Sequence, residues 1–180
     1  MYRLLAAIGL SLAVLAPAGA ARAAEIDCGI EQIEPQFRPQ VDAMVGRVLH
    51  DDNYQPTGED QDISEKLFEA VNTCADRLKW SETRKEAALR YMVLRLTRDR
   101  AASELRALGV ATPLLEKVVA ANPAIFTTVP QSREAARDKL VADAKALCIP
   151  MDKPEVEMLV LAYFGSETLA NEAAGDFAKG

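Results

Sequence analysis

Residues 111–123, ATPLLEKVVAANP, carry the full punctuation of a short helix. Thr112 is a capping residue, Pro113 suits the first helical position, where its missing N–H costs nothing, and Asn122-Pro123 stops the run. The same grammar recurs along the chain. No apolar–polar alternation persists for more than a few residues, and most β-branched residues fall at helical spacing. A chain punctuated in this way is confined to an all-α fold, a compact bundle of about seven or eight short helices.

The spacing predicts where those helices lie. Residues 29–38 read as a lead-in limited by Pro35 and Pro39. A helix over 39–50 follows, with Val41, Met44, Val45, Val48 and Leu49 on one stripe. After the polar run DDNYQPTGED, Asp62 or Ser64 caps a helix over 63–79 with Leu67, Val71, Cys74, Ala75 and Leu78 inward. Ser81 caps a third helix, on which Leu89, Met92, Val93 and Leu96 share a face. Further along, Ala101, Leu105 and Leu108 share another, more than a quarter turn away at about 100° per residue. That divergence predicts a break near Thr97–Asp99 and a separate helix from Asp99 to Leu108, with Gly109 as its stop. Ser132 caps a helix ending at Cys148. Pro154 opens an apolar one that Gly165 closes, and Ser166 starts a final helix to about Ala174.

The N-terminus has the three parts of a secretory signal. Arg3 lies in a short positive stretch, Leu4 to Ala16 are apolar apart from one Ser, and small residues follow. Ala21 and Ala23 fit the −3 and −1 positions of a cut after Ala23, while Ala18 and Ala20 offer an earlier one. The apolar run is shorter than the ~18–20 residues of a membrane span. The expected organisation is a signal peptide over 1–23 and one all-α domain over 24–180, exported to the periplasm or released. Removing Arg3 and Arg22 lowers Lys+Arg from 21 to 19 against 27 acids, so the net charge moves from −6 to −8. This balance excludes nucleic acid as the default partner, since phosphate binding is driven by cationic charge.

Catalytic motifs are missing. The sequence has no Gly-rich phosphate loop, no C-x-x-C and no G-x-S-x-G, and His50 is its only histidine. His50 sits beside Asp51 and Asp52, yet it falls in a helix's last turn, where the dipole favours a cationic imidazole. The acidic loop from Asp51 to Asp62 fails the calcium-loop pattern, with Pro56 where Gly is required and Asp62 where Glu is required. Cys148, Met151 and Met158 provide soft ligands without a histidine, a pattern better explained by packing than by copper. No catalytic, cofactor-binding or metal-binding residue is therefore assigned, and no cofactor is expected.

One charged feature stands out. Arg84, Arg95 and Arg98 fall within about 60° of one another on a helix, turned away from the Leu89/Met92/Leu96 stripe. They form a candidate basic face for an anionic envelope component or an acidic protein. The competing interpretation is a solvated face paired with Glu82, Glu86 and Asp99.

Three cysteines in an oxidising compartment imply one disulfide. If helices 39–50 and 63–79 pack antiparallel, Cys28, upstream of the first, approaches Cys74, late in the second. Closing that loop contributes about 4 kcal/mol by chain entropy. Cys28–Cys148 and Cys74–Cys148 are the alternatives, and the favoured pairing leaves Cys148 over. The expected function is a non-enzymatic module of the cell envelope, of protein-interaction, chaperone-like or inhibitor type. The alternatives are a helical hydrolase acting on an envelope polymer through paired carboxylates, and a carrier of a small ligand or metal. A hydrolase requires a cleft with acids of raised pKa; a binding module requires an exposed apolar patch or an arginine-rimmed face.

Overall fold

The computed structural model describes residues 18–51, 53–127 and 132–180, with side chains from residue 25 onward. The apolar run expected to form the body of a signal peptide lies outside the described residues. Among these residues there are eight helices and no strand: α1 (Ala18–Glu31), α2 (Arg38–His50), α3 (Gly58–Leu78), α4 (Glu82–Ala107), α5 (Thr112–Ala121), α6 (Pro123–Thr127), α7 (Arg133–Ala146) and α8 (Pro154–Lys179). The fold is all-α.

Two long helices organise the rest. α4 and α8 each have 26 residues, about 39 Å at 1.5 Å per residue. They run antiparallel and form the most extensive helix pair in the molecule. Arg90 meets Asp176 near one end and Arg98 meets Glu167 further along. Buried alanines on both partners, Ala87, Ala88, Ala101 and Ala102 on α4 with Ala170 and Ala173 on α8, let the two backbones approach closely.

Two apolar cores share this spine. The first is built from α1, α2, α3, the front half of α4 and the end of α8. At its centre are Val71, Cys74 and Met92, and Trp80 meets Phe177 edge-on at 5.0 Å. The second joins the back half of α4 to α5, α6, α7 and the front half of α8, around Leu105, Leu115, Leu159, Val160 and Phe164. Phe126 of α6 packs edge-on to Phe164 at 5.9 Å.

The shared spine corrects two expected boundaries. α4 passes through Thr97–Asp99 without a break. The large residues Leu89, Val93 and Leu96 are not its most buried face: Val93 is 42% exposed, and burial falls on Ala87, Ala88, Tyr91 and Met92. The mean direction of those four positions lies about 60° from that of Ala101, Ala102 and Leu105, close enough for one helix to serve both cores. α8 likewise continues through Gly165 and Ser166 instead of ending at a cap. Gly165 is not among the residues of positive φ, and Ser166 is buried within the helix.

Smaller differences concern helix starts: Thr112 does not cap α5 but is its first residue, with Ala111 in the capping position and no side-chain cap, and Pro113 is second. α1 runs on to Glu31, so part of the expected lead-in is helical and Cys28 sits inside a helix. α3 begins at Gly58, not near 63, because Thr57 and Asp60 form a reciprocal capping box. The Thr57 hydroxyl accepts from the Asp60 N–H, and the Asp60 carboxylate accepts from the Thr57 N–H at 2.9 Å. Ser81 and Ser132 cap α4 and α7, accepting from the N–H groups of Arg84 and Ala135. On the inward stripes, Val48 and Leu78 are exposed, contrary to their spacing.

Candidate functional site

The predicted arginine face occupies the edge of the α4–α8 seam. Each guanidinium lies over an aromatic ring: Arg84 over Phe177 at 5.4 Å, Arg95 over Tyr91 at 5.7 Å and Arg98 over Tyr163 at 5.9 Å. All three side chains are half-buried. Arg98 is committed further, donating to Glu167 at 2.7 Å and to Asp99 at 2.9 Å. Burial opposes its charge, but these two hydrogen bonds outweigh the penalty and hold it above the ordinary arginine value. Tyr91, between Arg84 and Arg95, donates to Asp27 at 3.0 Å, and burial pushes its hydroxyl up to about 12 against the pull of Arg95. The stripe thus works largely as packing between helices, with Arg84 and Arg95 as its cations without a carboxylate partner among the described residues.

The other sequence candidates are scattered. His50 turns from Asp51 and meets Glu104 of α4 at 2.6 Å, while Asp51 accepts from the Asn53 N–H. Asp60, from the acidic loop, is buried and used internally. The Thr57 hydroxyl and N–H, then the Arg47 guanidinium, hold its carboxyl far below the usual range. Asp52 lies outside the described residues, among which no cluster of three or more His, Cys, Asp or Glu is arranged to hold a metal. Cys148 is exposed and free, with φ of 61°, at the stop of α7, whereas Met151 is buried in the second core. Cys28 and Cys74 lie at disulfide-bonding distance, with Cα atoms 6.1 Å apart and both side chains buried. The Arg77 guanidinium approaches the Cys28 sulfur at 2.9 Å.

Carboxyl chemistry runs in one direction. Asp60, Glu104, Asp143 and Asp176 are all held below their ordinary values. For Asp143 and Asp176 the main cause is a hydrogen bond from a cation, Lys139 and Arg90 respectively. For Glu104 burial pushes upward, but Arg100 and His50 outweigh it. A general acid near neutral pH needs the opposite displacement. A pocket of about 250 Å³ does gather Asp99, Glu116 and Glu167 beside Tyr163, but Glu167 and Asp99 are the partners of Arg98.

An apolar opening lies elsewhere. α7 rests on α5, while α8 packs on α4 and α6, so a groove of about 340 Å³ remains between the α7 and α8 walls. Leu140 and Phe164 line its buried part, Ile125 comes from α6, and Leu169 stands 44% exposed at the margin. Gly165 keeps the α8 wall low: a Cβ there would meet no atom within 4 Å. Arg133 and Arg137 lie along the α7 wall and Glu172 along the α8 wall. Arg137 pairs with Glu157 at 3.0 Å, whereas Arg133 has no carboxylate partner among the described residues.

The sequence does hold a trace of this groove. Arg133, Ala136, Arg137 and Leu140 follow i, i+3, i+4, i+7, and Leu161, Gly165, Thr168 and Glu172 form a second stripe on α8. The second stripe was hidden by the expectation that α8 ends at Gly165. No family profile, curated protein or solved structure matches this chain.

Proposed function

We propose that this chain is an exported, non-enzymatic binding protein of the cell envelope, and that it works by holding an apolar ligand between α7 and α8. The observation carrying the proposal is the groove itself: about 340 Å³, walled by leucines and a phenylalanine, and flanked by two arginines. Ligand sites are concave and mainly apolar, with a few polar groups at fixed positions, and typically about 300–1,000 Å³ in volume. Export is supported by the secretory pattern of the first 23 residues and by the buried Cys28–Cys74 pair. No helix among the described residues is long and apolar enough to cross a membrane. The Arg84/Arg95/Arg98 stripe is a weaker candidate for the expected anionic partner, because all three guanidiniums are half-buried over aromatic rings and Arg98 is also paired with Glu167 and Asp99.

The test uses N-phenyl-1-naphthylamine, an uncharged apolar dye that fluoresces on leaving water. Saturable enhancement is expected with the oxidised chain. Leu169→Asp, at an exposed position that does not support the core, should weaken binding by at least about tenfold, or ~1.4 kcal/mol. Absence of enhancement, or equal enhancement by the Leu169→Asp chain, refutes the proposal.

A further inference from the structure

We infer that the occupant of this groove is a single-chain amphiphile with an anionic head, a fatty carboxylate in chemical class; the inference rests on the groove being a binding site. The shape sets the tail. From Leu161 to Glu172 the α8 wall extends about 16 Å at the helical rise, the reach of one medium-length alkyl chain. Leu140, Phe164 and Ile125 offer that chain apolar contact along the buried side.

The charges set the head. Arg133 is the first residue of α7, and the acid that suits this positive helix end, Glu134, is next to it but does not line the groove. The neighbour of Arg133 one turn on, Arg137, is bound only to Glu157 in an exposed pair of little strength, so it is free to turn to a second acceptor. Glu157 does not line the groove. The groove lining therefore presents two guanidiniums against the single carboxylate of Glu172, and the balance favours an anion. Two arginines one turn apart match a head with two oxygens, each accepting a charge-assisted hydrogen bond. A cationic head would face both guanidiniums.

Competition against bound N-phenyl-1-naphthylamine tests the inference, with two probes of equal tail length kept below their micelle thresholds. Dodecanoate should displace the dye at concentrations at least about tenfold lower than dodecyltrimethylammonium, and added salt should narrow the gap. Arg133→Gln should weaken dodecanoate by about tenfold and the uncharged dye by far less, so the ratio of the two affinities shifts. Glu172→Gln should strengthen dodecanoate by about twofold, the reverse sign, because it removes the one like charge. Both positions are exposed, so the folded chain should survive either change. If the dye binds but the cationic probe competes equally well, or both substitutions leave dodecanoate unmoved, the anionic head is wrong while the groove still binds. If dye signal falls with protein concentration as sedimentation shows a dimer, the occupant is a second copy and the inference is overturned. A dye that never binds removes the groove and the amphiphile together.

Discussion

Cutting the Cys28–Cys74 link is the perturbation whose size follows most directly from the structure. The two residues are 46 apart in sequence, and chain entropy alone assigns such a loop about 4 kcal/mol. In a domain of this length each kcal/mol moves the melting midpoint by about 2–4 °C, so the loss corresponds to about 8–16 °C. The experiment belongs in a Cys148→Ser background, because the exposed free thiol would otherwise exchange with the pair. Cys28→Ala, Cys74→Ala and the double variant are then melted by circular dichroism and unfolded in urea. Either single change opens the loop completely. The three variants should therefore fall together, within about 1 kcal/mol, rather than add. The urea slope should also rise, since the uncrosslinked chain exposes more surface when unfolded. A loss under about 1 kcal/mol, or single effects that sum to the double, would show that the two cysteines are merely neighbouring core thiols.

Further outcomes are expected elsewhere. Asp60 has a folded value below its unfolded one, so between the two the unfolded chain binds more protons. Stability should rise with pH up to the ordinary carboxylate value near ~4 and be lost as pH falls through that window, and Asp60→Asn should flatten this acid limb in pH-dependent urea titrations. Thr97→Pro tests the continuity of α4. Inside an unbroken helix it should cost about 3 kcal/mol or more by thermal melting, whereas near neutrality would restore the break read from the apolar arcs. Gly165→Ala sits in a helix interior with open space beyond it. It should stabilise the chain by about 0.5–1 kcal/mol and weaken dye binding by narrowing the groove, as judged by melting and fluorescence titration.

Much of the architecture was legible because its signals are local. Ser81 and Ser132 announce their helices through one hydrogen bond each, and a capping oxygen needs no knowledge of the rest of the fold. The misreadings arose where a distant partner decides. Side-chain size drew attention to Leu89, Val93 and Leu96, but α8 approaches along the alanines, and close approach rewards small residues. Gly165 resembles a stop in sequence; it stays helical because the segment after it must cover the first core with Ala170, Ala173 and Phe177. The candidate site was least legible. Arg84, Arg95 and Arg98 are conspicuous because they are basic, yet Tyr163 and Glu167, some seventy residues on, hold one of them in place. Arg133 and Arg137 attract no notice until α7 and α8 are seen to stand apart.

The shared α4–α8 spine also constrains the order of assembly. About one hundred residues separate Cys74 from Phe177, so α8 is the last helix that can join the first core. Without α8, the first core lacks Ala170, Ala173 and Phe177, and Trp80 loses the ring it packs against. The N-terminal half cannot finish early, however good its own caps. In an oxidising compartment a tie between Cys28 and Cys74 can join α1 to α3 before α8 docks, because neither cysteine lies on α8. The bonded pair therefore holds together the half of the first core that does not depend on α8.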